Sequence, residues 1–243
     1  MAPMSTAARA GVLSATIVAG ALPWLWLPHD ATVLALLGIE VLLLTAYSLR
    51  PLRLKDRAAL GVLADALYAY VVPILLTGVP FRRVSDLGPA PWSVVVAVTA
   101  WMLLMGLRGI RWHQIADLAH DRRSGVRTLA TRIGAGRAER LRGRLVVREA
   151  VAAATTLVAV AASSDRWWLP VFGAAYVAYR WFQVSTLWNE PLRVATLKHD
   201  HGRVRFLGFV LLNEFVERWL PVAALVALAL GSPAMWIALL VHL

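Results

Sequence analysis

Long apolar stretches, broken by clusters of basic residues, restrict what this chain can fold into. A helix needs about 20 mainly apolar residues to cross the hydrocarbon core of a bilayer. Seven such stretches lie near residues 10–27, 31–48, 58–79, 91–112, 143–162, 167–188 and 204–230. The apolar segment 233–243 is too short to cross and is predicted to lie at the membrane interface. Because backbone polar groups inside lipid need internal partners, the predicted fold is an all-α, polytopic transmembrane helical bundle.

The basic residues predict which ends of the spans face the cytoplasm. Most of the 25 Lys and Arg residues lie in three segments that alternating spans place on one side, at about 49–57, 113–142 and 189–203. Cytoplasmic loops carry an excess of Lys and Arg. The three loops and the N-terminus are therefore predicted to be cytoplasmic, in an integral protein of the bacterial cytoplasmic membrane, with membrane lipid as a partner.

Residues 1–243 are predicted to form a single transmembrane domain, because no Pro-rich or Ser/Gly-rich linker divides them. The net charge of +11 could suggest nucleic acid in a soluble protein. Here the basic residues lie in short loops between spans, with no domain to present them to a groove, so nucleic acid is not an expected partner. The absence of cysteine excludes disulfides and thiolate metal sites.

The fourth span continues into the stretch that carries the most chemistry. His113, Asp117 and Asp121 recur every fourth residue, so they share one face if this segment is helical. Two carboxylates one turn apart can share Mg²⁺, which prefers a few carboxylates together with substrate phosphate oxygens. Five nearby arginines would suit a diphosphate: Arg108, Arg111, Arg122, Arg123 and Arg127. Alternatively, the aspartates only balance these arginines at an exposed helix end.

A short basic turn, YSLRPLRLKDR at residues 47–57, precedes the third span. Arg53 and Lys55 could clamp a phosphate there, or they could simply form the positive flank that fixes topology. Asp65 lies about two turns into the span, and an ionisable group at membrane depth usually faces the bundle interior and serves function. Tyr68 or Tyr70 could give Asp65 a hydrogen bond, so a functional and a structural role both stay open.

Polar residues also interrupt the last span, at Asn213, Glu214, Glu217 and Arg218. One interpretation is a buried ion pair in which Glu214 meets Arg218, one turn away, or Arg180 in the sixth span. The other is a second cation-binding cluster of Asn213, Glu214 and Glu217 that faces the two aspartates of the fourth span.

Two of these segments resemble motifs of the UbiA-type superfamily of intramembrane prenyltransferases. YSLRPLRLKDR, followed by LG, is similar to the family's YSxxPLRLKxR turn. HQIADLAHDRRSGVRTLATRIG is similar to its second Asp-rich motif, DxxxD with a GxRTLAxRxG continuation. The motifs lie in the family's order, and the resemblance runs from near residue 5 to the end of the seventh span.

The resemblance implies a helical bundle around a cavity open to the cytoplasmic side. It also implies Mg²⁺ and a polyprenyl diphosphate donor held between two Asp-rich motifs, with transfer to a small lipophilic or aromatic acceptor. On this chain Asp117 and Asp121 match the metal ligands, and they are predicted to be catalytic together with Lys55. The predicted diphosphate-binding residues are Arg53, Lys55, Arg111, Arg122 and Arg127.

The chain departs from the family where the first Asp-rich motif, NDxxDxxxD, is expected, because it begins at the segment that follows that motif. Asn213, Glu214 and Glu217 read as NExxE and could substitute as metal ligands, and Asp65 could contribute. A partner chain or a homo-oligomer could also complete the site. The predicted function is thus a Mg²⁺-dependent intramembrane prenyltransferase. The alternatives are a terpene cyclase, a non-catalytic isoprenoid-binding protein and one subunit of a split enzyme.

Overall fold

The computed structural model describes residues 5–21, 30–84, 91–183 and 211–230, together with positions 236 and 240. Most of these residues are helical, with no strand among them, which confirms the predicted all-α class. Their α-helices are α1 (Thr6–Ala21), α2 (Ala31–Ser48), α3 (Ala59–Ala66), α4 (Val72–Val84), α5 (Trp92–Ala116), α6 (Leu118–Ser124), α7 (Leu129–Ile133), α8 (Ala135–Ser164), α9 (Trp168–Phe182) and α10 (Leu220–Ala229). A π-helical turn at Leu67–Val71 joins α3 to α4, and another at Phe215–Trp219 leads into α10.

Four helical segments within the described residues are long and apolar enough to cross a membrane: Ala31–Ser48, Ala59–Gly78, Trp92–Ala116 and Ala135–Ser164. Helix α2 shows why lipid is the fitting solvent, since Val33 is its only fully buried residue. Large apolar side chains such as Val41 and Leu42 are exposed on its surface. An apolar face of this extent is a liability in water and is stable in hydrocarbon. The fold is therefore a membrane-type helical bundle.

The other predicted spans lie partly outside the described residues. Within those residues, helices cover parts of the spans near 10–27, 167–188 and 204–230. Whether these three cross the bilayer stays a prediction. The interfacial segment 233–243 and the loop 189–203 lie outside the described residues, apart from helical positions 236 and 240. The predicted cytoplasmic segment 113–142 is largely helical, comprising the end of α5, then α6, α7 and the start of α8.

The core lies where α5 packs along α8, with α9 and the last helix closing over them. Its buried residues are Trp101, Val146, Ala153, Tyr176, Leu212 and Phe215. Val33, Val72 and Leu76 form a second cluster between α2 and α4. Leu118, Ala130 and Ala138 form a third, which fixes α6 and α7 against the start of α8. The third cluster holds the polar segment that follows α5 in a defined position.

Gly106 brings the third span into close contact with α5. A Cβ at this position would lie 2.7 Å from Cδ2 of Tyr70 and 2.9 Å from the Cα of Ala66. Tyr70 lies in the π-helical turn, and such turns often occur at functional sites. Only glycine permits this approach of the two backbones. The contact sets the third span directly beside α5, two to three turns above its polar end.

Candidate functional site

The basic turn after α2 is a built structure. A short 3₁₀ helix at Leu54–Asp56 folds back onto α3, and the Nε of Arg53 lies 3.0 Å from a carboxylate oxygen of Asp56. Arg53 has a φ of 37°, in the left-handed region. Lys55 is half-buried. The turn therefore presents both predicted phosphate-binding residues from a fixed backbone.

Gly61 determines how closely this turn approaches α3. A Cβ at Gly61 would lie 2.6 Å from the carbonyl oxygen of Leu54 and 3.1 Å from the Cα of Lys55. Both neighbours are backbone atoms that cannot rotate away. We expect Gly61→Ala to displace the turn and to raise the KM for a diphosphate donor by about tenfold, since misplacing a binding group is costly. Steady-state kinetics in lipid nanodiscs measure this.

The matched control is Gly38→Ala in α2, where a Cβ would meet no atom within 4 Å. This variant should keep the wild-type KM. Equal KM values for Gly61→Ala and the wild type would show that the position of the turn does not matter for binding.

Asp65 joins the basic turn to the Asp-containing segment. The hydroxyl of Tyr68 donates a 2.8 Å hydrogen bond to its carboxylate, as one interpretation of the sequence predicted. Tyr47, the first residue of the YSLRPLRLKDR motif, interacts with the same carboxylate and packs its ring 5.2 Å from that of Tyr68. His113 of α5 lies within electrostatic range of Asp65. Asp65 therefore connects Tyr47 of the basic turn with Tyr68 of the third span, and it lies near the start of the Asp-containing segment through His113.

Asp117 and Asp121 lie where α5 passes into α6. The backbone amide of Asp117 donates a hydrogen bond to the carbonyl oxygen of His113, and the amide of Asp121 donates one to the carbonyl oxygen of Asp117, each at 2.8 Å. The helical spacing therefore continues through the junction. Asp117 is exposed and Asp121 is half-exposed. The predicted arrangement of two carboxylates one turn apart is thus compatible with the backbone.

The GVRTLATRIG segment, which follows these aspartates, folds the chain back against α5 and α8. Gly125 ends α6 in the left-handed conformation with φ 71°. Thr128 then caps α7 by accepting a 3.3 Å hydrogen bond from the amide of Thr131. Gly134, with φ 80°, separates α7 from α8. Glycine and threonine at these positions produce two tight helix ends, which explains the form of the motif.

The predicted diphosphate-binding arginines of this segment differ in their surroundings. Arg122 and Arg127 are exposed. Arg111 is half-buried, and with Gln114 it lines a small pocket whose other walls come from α7 and α8, among them Leu129 and Ala138. Arg122 and Arg127 are thus open to a ligand from the aqueous side, whereas Arg111 is enclosed by protein.

A buried ion pair was missed by sequence reasoning. Arg108 of α5 forms a two-pronged interaction with Glu149 of α8, through its Nε and through a second hydrogen bond of 3.0 Å. Arg108 also donates to the side-chain oxygen of Asn213, in the helical segment 211–219 that leads into α10. The side chains of Arg108 and Glu149 are only 2% and 0% exposed. Arg108, predicted from its position to surround a diphosphate, instead ties three helices together.

The NExxE residues of the last helix have separate environments. Glu214 pairs with Arg180 of α9 at 2.9 Å and accepts a 3.1 Å hydrogen bond from the indole of Trp219. Of the two arginines considered as ion-pair partners of Glu214, Arg180 is the one that forms the pair. The side-chain oxygen of Asn213 accepts a hydrogen bond from Arg108. Glu217 is exposed and lies within electrostatic range of Tyr70, on the side of the third span.

Asp117 and Asp121 are the first candidates for ligands of Mg²⁺. Within the described residues, no three or more His, Asp and Glu side chains are grouped closely enough to hold a metal. Asp117 and Asp121 are one helical turn apart, and two carboxylates at this spacing would suit a Mg²⁺ ion that substrate phosphates and water complete. Their role as ligands of Mg²⁺ stays a prediction. A role for Asp65, Asn213, Glu214 or Glu217 as further ligands stays a prediction.

The described residues define an all-α, membrane-type helical bundle. Comparison with known proteins adds one relative: the chain is 32% identical over 133 residues to the lycopene elongase/hydratase of Halobacterium salinarum. The aligned region covers 54% of this chain and 45% of that protein, so the chain spans less than half of its relative's length. No protein-family model and no solved structure matches the chain. The match supports a distant relation to a lycopene-modifying enzyme.

Proposed function

We propose that this protein is an intramembrane prenyltransferase that transfers a prenyl group from its diphosphate to a lipophilic isoprenoid acceptor. The observation that carries the proposal is the similarity to lycopene elongase/hydratase, whose name describes lengthening and hydrating a hydrocarbon isoprenoid. The meeting of the basic turn, Asp65 and the end of α5 supports it, because charged groups at the end of an apolar bundle suit an amphiphilic diphosphate.

In this proposal the chain's own residues bind and orient the donor. Asp117 and Asp121 would hold Mg²⁺, which when bound neutralises charge on the departing diphosphate. Lys55 and Arg53 would contact the diphosphate from the basic turn, and Arg122 and Arg127 from the α6–α7 segment. The prenyl tail would lie along the apolar helices.

The reaction proposed conserves atoms without a redox partner. The allylic carbon–oxygen bond of the donor breaks and diphosphate leaves. A carbon–carbon bond to the acceptor forms, and the resulting cation releases a proton, either directly with formation of a double bond or after it has captured a water molecule. The tyrosines around Asp65, Tyr47 and Tyr68, would help to shield the reacting carbon from bulk water.

The direct test is diphosphate release and product mass. The purified full chain in lipid nanodiscs receives prenyl diphosphates of increasing length and lycopene, with Mg²⁺ or with EDTA. We expect Mg²⁺-dependent diphosphate release and an acceptor heavier by the prenyl group, with or without one water. Release without acceptor consumption would instead indicate a cyclase.

Absence of release with every donor would contradict the proposal for the chain alone. Tight binding of a prenyl diphosphate without turnover would then favour a non-catalytic isoprenoid-binding protein. Turnover restored by adding membrane extract would favour a split enzyme, in which a partner chain completes the site. A homo-oligomeric site would show instead as activity that depends on two copies per nanodisc.

A further inference from the structure

Four arginines in the first half of α8 share one face of the helix. Arg137, Arg140, Arg144 and Arg148 are spaced by three or four residues, which places them within about 80° of one another around the axis. All four are exposed. They extend over about 16 Å along the helix at 1.5 Å per residue. This set is the α8 arginine stripe.

The same face of α8 becomes apolar where the stripe ends. Val151 and Val158 continue it, and their side chains are 62% and 47% exposed. Val147, at the edge of this face, is 61% exposed. A helix face that passes from arginine to exposed valine matches the passage from lipid headgroups to hydrocarbon. The stripe therefore lies at headgroup level if the valines contact acyl chains.

The two acidic residues of α8 lie on faces other than that of the stripe, and each forms an ion pair with an arginine outside the stripe. Glu139 pairs with Arg142, which is 2% exposed and stacks on the ring of Trp112 in α5 at 4.7 Å. Glu149 is occupied by Arg108. Among the described residues, no ion pair includes an arginine of the stripe. Within the described part of the chain, the stripe therefore has no carboxylate partner, and it lies on an outward face.

We propose that the α8 arginine stripe binds the phosphate headgroups of anionic phospholipids in the adjacent leaflet. Guanidinium groups suit phosphate because they donate paired hydrogen bonds, and their long stems allow them to reach the headgroups from a helix that enters the bilayer. Basic residues next to a spanning helix attract anionic lipid. The continuity of the stripe with the exposed valines favours lipid over a soluble acidic partner.

The test compares lipid selectivity of the full chain in phosphatidylcholine bilayers. Spin-labelled phosphatidylglycerol and spin-labelled phosphatidylcholine are each added as probes, and electron paramagnetic resonance measures the fraction of each that the protein immobilises. We expect the wild type to prefer phosphatidylglycerol by about threefold, since several basic residues contribute at the surface. This preference should fall in 1 M salt, where the Debye length is about 3 Å.

A fourfold variant, R137Q/R140Q/R144Q/R148Q, should lose the preference for phosphatidylglycerol. The matched control, R137K/R140K/R144K/R148K, keeps the charge and should retain most of it. An unchanged preference for phosphatidylglycerol in the glutamine variant would overturn the proposal. An acidic protein surface would then be the better candidate for the partner of the stripe. If the fourfold variant fails to insert into the bilayer, the double variant R137Q/R140Q and a salt titration of the wild type replace it. The proposal is also overturned if neither the double substitution nor high salt lowers the preference for phosphatidylglycerol.

Discussion

Replacing Asp117 or Asp121 by asparagine is expected to lower diphosphate release by about 100-fold or more. Each substitution removes one negative charge from a pair that would hold a divalent cation against the leaving group. Neither side chain is buried, and the backbone hydrogen bonds through the α5–α6 junction do not involve the carboxylates. The free energy of unfolding should therefore stay within about 0.5 kcal/mol of the wild-type value. Release assays and melting curves on the same preparations separate the two effects.

Asp165 offers a matched control for these variants. It caps the far end of α8 in the left-handed conformation, with φ 53°, which asparagine also tolerates. Asp165→Asn should keep full activity and wild-type Mg²⁺ dependence. If Asp117→Asn and Asp121→Asn were as active as Asp165→Asn, the two aspartates would belong to an ordinary exposed helix end, the alternative that their spacing leaves open.

Local pattern was sufficient to predict several parts of the site. The hydropathy of the chain predicted helices where α2, the third span, α5 and α8 lie, because apolar runs of membrane length have few other stable structures. The depth of Asp65 in an apolar span marked it as a residue that needs a partner, and Tyr68 supplies a hydrogen bond. In both cases the information is contained within a few residues of the feature itself.

The pairing of distant helices could not be predicted in the same way. Glu149 follows Arg148 directly, so a local pairing with a neighbouring arginine was as compatible with the sequence as a distant one. Its partner Arg108 lies 41 residues away, and only the packing of α5 on α8 brings the two together. Glu214 likewise pairs with Arg180 rather than with Arg218 because helix packing brings Arg180 beside it.

The pairing of Arg108 with Glu149 predicts a large loss of stability when either partner alone is removed. Removing one member of a buried ion pair leaves an uncompensated charge and costs about 3–5 kcal/mol. Glu149→Leu and Arg108→Met should each lower the melting temperature by about 10 °C in neutral detergent. Intrinsic tryptophan fluorescence follows the transition, since the chain has 11 Trp residues.

The double variant R108M/E149L distinguishes an ion pair from general packing loss. With both charges replaced by apolar groups of similar size, most of the lost stability should return, because no buried charge stays unpaired. A double variant whose loss of stability equals the sum of the two single losses would show that the residues act independently. Exposed Arg140 supplies the control, and Arg140→Gln should melt with the wild type in neutral detergent.

The same pair predicts a link between bundle stability and the candidate site. Arg108 precedes Asp117 by about 13 Å along α5, so the interaction with Glu149 and Asn213 fixes the helix that presents both aspartates. If this anchoring matters, the R108M/E149L protein should remain folded yet release diphosphate more slowly, with a larger change in kcat than in KM. Wild-type kcat in a stable double variant would confine the ion pair to holding the bundle together.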